Sequence, residues 1–66
     1  MLITVNGEAR QVPAGASVAD LLLTLDTAGR RLAVERNGEI VPRSRHADTP
    51  LAAGDQLEIV IAVGGG

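Results

Sequence analysis

LITVNGEARQV, residues 2–12, decides the fold. LITVN (2–6) reads as a strand, and Asn6-Gly7 turns it into a second strand over Ala9–Val12. An Asn-Gly pair between strand-like runs is the strongest short hairpin signal, because both central positions of a type I′ turn need positive φ. Pro13 and Gly15 then break the pattern.

The same signal returns downstream. LAVER (32–36) is a third strand, and Asn37-Gly38 turns it into a brief fourth, Glu39–Val41, ended by Pro42. Between the hairpins the period changes from two to 3.6. Val18, Leu21, Leu22 and Leu25 fall at i, i+3, i+4 and i+7, an apolar stripe that predicts a helix over 17–27. Ser17 stands three residues before Asp20, the spacing of a capping box, and Gly29 is the expected stop. RSRHADTP (43–50) reads as a polar loop, Leu51 as a core plug, and Ala53-Gly54-Asp55 as the turn into a last strand, LEIVIAV (57–63).

These elements predict an α+β domain with one helix packed across one face of a mixed sheet of four to five strands. On the last strand, alternation places Leu57, Ile59, Ile61 and Val63 toward the helix. Glu58, Val60 and Ala62 then face outward. Val60 and Ala62 are the candidate docking surface for a partner, because they lie on the strand that leads to the glycines.

Sixty-six residues hold one small domain, assigned to 1–63, with a flexible glycine tail at 64–66. With no Phe, Tyr or Trp the core must be aliphatic. A core of this size rarely supplies more than about 3–5 kcal/mol. The absence of cysteine removes disulfides, thiolate metal sites and any persulfide carried on this chain. No apolar run is long enough to span a bilayer and the N-terminus carries no signal peptide, so the expectation is a cytoplasmic protein. A net charge of −2 with no aromatic residue argues against nucleic acid as a partner. All six basic residues are arginine.

Candidate catalytic groups fail one by one. His46 lacks a second histidine or a cysteine for a metal, and in a polar loop it reads as solvated. Helix capping accounts for Ser17, and Ser44 has His46 nearby but no pocket. Glu35 and Glu39 flank the second hairpin turn as ordinary sheet charges. No phosphate-binding glycine motif is present, and Arg30-Arg31 and Arg43/Arg45 make small basic spots on a solvated surface. The chain reads as a non-enzyme that binds no metal and no cofactor.

There remains IAVGGG (61–66). A terminal carboxylate, ionised at neutral pH, is a poor acyl electrophile until ATP converts it to an acyl-adenylate. Three glycines reach at most about 10 Å, and lacking Cβ atoms they pass through a narrow channel. Residue types alone therefore predict a carboxylate at Gly66 delivered by Gly64 and Gly65 to another protein's active site.

The order of elements with a terminal Gly-Gly resembles the ubiquitin-like β-grasp fold. VNGE at 5–8, VERNGEIVPR at 34–43 and GDQLEIVIAVGGG at 54–66 resemble, across nearly the whole chain, the sulfur carriers of thiamine biosynthesis, the ThiS family. The resemblance implies that Gly66 is adenylated by an E1-like adenylyltransferase using ATP. Sulfur from a cysteine desulfurase persulfide then replaces AMP, leaving a thiocarboxylate that donates its sulfur to thiazole synthase. Gly65 matches the family's penultimate glycine, and Gly64 is a third, read as slack. Molybdopterin synthase small subunits, which are expected to be longer and to carry aromatic residues, are the alternative, followed by a protein-conjugating modifier and a non-carrier β-grasp module with an inert tail.

Overall fold

The two Asn-Gly pairs set the sheet. The computed structural model describes residues 1–25, 27 and 30–62. In it Asn6 and Gly7 have φ of 52° and 83°, and Asn37 and Gly38 have 53° and 85°. Each turn therefore has two left-handed central residues, the geometry whose twist matches the flanking strands. The first joins β1 (Leu2–Val5) to β2 (Glu8–Gln11), the second β3 (Leu32–Arg36) to β4 (Glu39–Val41). Val12, one residue beyond β2, still exchanges both backbone bonds with Met1, at 2.9 and 2.6 Å.

The last strand, β5 (Gln56–Ile61), enters between the hairpins, giving the order β2-β1-β5-β3-β4. It runs parallel to β1 and antiparallel to β3. The expected mixed sheet with one helix is thus present, with five strands. The strand starts one residue earlier than its sequence pattern suggests. Val63, expected on its helix-facing side, and the glycines 64–66 lie outside the described residues, as does Gly29.

The helix, α1 (Val18–Thr24), is shorter than the predicted 17–27. Its start is as expected: the Ser17 N–H donates to Asp20 Oδ2 at 2.9 Å and the Asp20 N–H to Ser17 Oγ at 3.1 Å. Its end comes early because threonine hydroxyls replace the next turn. Thr24 Oγ1 donates to the Leu21 carbonyl at 2.7 Å and Thr27 Oγ1 to that of Leu22 at 3.0 Å. Carbonyls that a longer helix would have satisfied are thereby taken, and Leu25 leaves in extended conformation. Val18 and Leu21 are buried, with Leu22 and Leu25 partly buried against the core, so the apolar stripe faces the sheet.

His46 is not the solvated loop histidine the sequence suggested. Only 8% of it is exposed, and its Nε2 lies 3.1 Å from the Val41 carbonyl oxygen. The segment is a 3-10 turn, Arg43–Arg45, started by Pro42, followed by backbone bonds that return the chain under the helix. There the His46 and Thr49 carbonyls accept the N–H groups of Ala19 and Val18, at 3.0 and 2.9 Å. These are first-turn donors with no partner inside the helix. Leu51 plugs the core as expected, beside Ile3, Val5, Val12, Ala16, Val34, Leu57 and Ile59, an entirely aliphatic set.

Candidate functional site

Two features converge on β5: an open sheet face and the strand's far end. Registers place Leu57, Ile59 and Ile61 on the helix side, with Glu58 and Val60 on the other. Val60 is 62% exposed and stands opposite Ala33 of β3. One step back, Glu58 stands opposite Glu35, which stands opposite Ile40 of β4, itself 64% exposed. Ala62, just past the strand, is exposed, and its N–H donates to the Arg31 carbonyl at 2.8 Å.

The open face is therefore an apolar strip of Val60, Ala33, Ala62 and Ile40, with two carboxylates on neighbouring strands. Sequence periodicity supplied Val60 and Ala62. It missed Ile40 and Ala33, because facing across strands depends on register, which only the paired sheet reveals. Glu35 and Glu39, read as sheet charges flanking the second hairpin turn, are not direct cross-strand partners. Glu39 is opposite Arg36, so Glu39 and Glu35 point to opposite faces, and the cross-strand neighbour of Glu35 is Glu58.

The base of the site is held stiffly. β1 and β5 pair only at Thr4–Gln56 and Val5–Leu57, and Asn6 extends the pairing with its side chain. Its Nδ2 donates to the Ile59 carbonyl at 3.2 Å, and its Oδ1 accepts the Ile59 N–H at 2.8 Å. A turn residue thus substitutes for a third ladder step. The reading of Asn6 as a turn former was correct and incomplete.

At the start of β5, Asp55 is 5% exposed and fully engaged. Burial alone would push its carboxyl up. The Ala52 N–H, the Arg36 guanidinium (2.8 Å) and the Asn37 amide (3.0 Å) outweigh that and hold it below its ordinary value. Asn37 closes the corner by accepting the Gln56 N–H through Oδ1 at 2.9 Å. This network anchors the near end of the strand, and Asn6 anchors its middle.

Among the described residues, no group of three or more His, Cys, Asp or Glu could hold a metal ion. No hydrogen bond joins Ser44 to His46 among them either. No helix of the described residues is long and apolar enough to cross a membrane. The arrangement suits presentation of β5 and of the chain that leaves its far end.

A hairpin, one crossing helix and a second hairpin, with the last strand inserted between the two hairpins, define the ubiquitin-like β-grasp class. The thiamine biosynthesis protein ThiS of Geobacter metallireducens, solved as a crystal structure, shares this fold with a TM-score of 0.81 and 34% identity, all of each chain being covered. The chain belongs to the ThiS family, whose model matches residues 3–66. It is 36% identical to the sulfur carrier protein ThiS of Escherichia coli over the whole of both chains. It is also 47% identical over 66 residues to a thiazole synthase of Paramagnetospirillum magneticum, and spans only 20% of that relative's length.

Proposed function

We propose that this chain is a sulfur carrier of thiamine biosynthesis, acted on by enzymes rather than acting as one, and that its working group is the Gly66 carboxylate. An E1-like adenylyltransferase joins that carboxylate to the α-phosphorus of ATP, releasing pyrophosphate. The outer sulfur of a persulfide, drawn indirectly from a cysteine desulfurase, attacks the adenylate and displaces AMP to give an acyl disulfide. A second thiol then cleaves the S–S bond, becoming part of a disulfide itself, and leaves a thiocarboxylate, the sulfur source for thiazole synthase. No cofactor stays on the carrier, which works in the cytoplasm. Gly64 and Gly65 form the side-chain-free arm that enters the partner, and Val60 with Ala62 seats it.

The observation that carries this reading is the family match running through the glycines to residue 66. The anchoring of β5 supports it. Thiazole synthase as acceptor is supported by a thiazole synthase that includes a segment similar to this whole chain. Deletion of Gly65 and Gly66 tests the division of labour. Adenylation by the cognate enzyme should vanish while the unfolding midpoint stays put, since the described core runs from Ile3 to Ile59. A truncation that unfolds the domain, or one still adenylated, contradicts the reading.

A further inference from the structure

The six arginines of this acidic chain are not spread evenly. Arg36 is bonded to Asp55, the one ion pair among the described residues. Of the other five, Arg30, Arg31 and Arg43 line a single concavity of about 460 Å³, with His46 and Leu32 also in its wall. Among the described residues, no carboxylate lines it. Three exposed guanidinium groups around one concavity make a local positive patch on a chain of net charge −2, suited to an anion. Guanidinium forks match carboxylate or phosphate oxygens two at a time.

Its position narrows the ligand. Leu32 stands opposite Ile61, the last residue of β5, and the Arg31 carbonyl accepts the Ala62 N–H. The concavity therefore flanks the point where the chain leaves the sheet, on the helix side, while Val60 flanks it on the open face. We propose that Arg30, Arg31 and Arg43 form a receptor for acidic side chains at the rim of the adenylating partner's active-site channel. This rests on the carrier reading above. An arm of four residues beyond Ala62, threaded fully extended, carries its carboxylate up to about 14 Å away. The nucleotide then sits at the arm's tip, and the arginines at its base meet protein. An acidic rim gripping them would orient the carrier before the arm enters, and would speed encounter at low salt.

Two measurements test this. Amide resonances of the free carrier are followed during titration with hexaglutamate at low salt. Saturable shifts confined to residues 30–32 and 43–46, lost in the Arg30→Glu/Arg31→Glu variant, are expected. No shift, or shifts equally large around Arg10, overturn the proposal. So does inorganic phosphate moving the same amides at lower concentration than the peptide, which would assign the site to a small oxyanion. In adenylation assays with the cognate enzyme, the same double variant should raise KM for the carrier about tenfold at unchanged kcat, with a flattened salt dependence. The Arg10→Glu/Arg45→Glu variant, with the same change in charge, should leave KM nearly unmoved, and equal effects of the two pairs overturn the proposal. A wild-type carrier that binds hexaglutamate at this site but is never adenylated would refute the carrier reading and leave the anion-binding site standing.

Discussion

Asn6 shows how much one residue can do in a chain this small. Its left-handed φ makes the turn, and its amide makes a two-way bond to Ile59 that joins the first strand to the last. Asn6→Gly keeps the turn geometry and removes the bonds, so it separates the two roles. The expected loss is about 1–2 kcal/mol, measured by urea unfolding, with faster hydrogen exchange at the Ile59 amide. Unchanged Ile59 exchange would mean the amide does not hold the strand. Asp55 carries the other local commitment. Its carboxyl is held below the ordinary value of 3.8 by its hydrogen bonds and Arg36. Below that ordinary value the unfolded chain takes up the proton first, so stability falls as pH drops from there toward the depressed folded pKa, and is level above it. Acid titration of the unfolding free energy should show this fall, and Asp55→Asn should flatten it while lowering stability at neutral pH. His46 completes the scale. A polar neighbourhood in sequence disguised a buried residue, because the 3-10 turn that carries it inward is set by Pro42 and by carbonyls serving the helix.

Elements were legible where the signal is local. Both Asn-Gly hairpins, the capping box at Ser17 and the apolar stripe of α1 follow from residues within a few positions of each other. The helix end was not, because it depends on the hydroxyls of Thr24 and Thr27 finding carbonyls a turn back. The open face was half legible for a related reason. Alternation along β5 gives Val60 its side, but the neighbours Ala33 and Ile40 arrive from another hairpin through register. A docking role for this face belongs to the strand rather than the core, and Val60→Asp tests it. Added charge at a 62% exposed position should change stability by less than about 0.5 kcal/mol. It should nonetheless weaken adenylation severalfold through KM. Equal damage to stability and activity would put Val60 in the core and remove the surface assignment.

For the whole molecule, topology does the functional work. A last strand inserted at the centre of the sheet is bonded on both edges, by β1 and Asn6 on one side and β3 on the other. A central strand is the least yielding place from which to extend a chain, and the Asp55 corner fixes its other end. The residues alone led to an offered carboxylate at Gly66, and family likeness supplied the sulfur. The most direct test is intact mass after incubation with ATP, the cognate adenylating enzyme and sulfide. Replacement of one oxygen by sulfur is expected, localised by fragmentation to Gly66 and absent without ATP. An unchanged mass, with an enzyme shown active on its own carrier, would contradict the carrier role.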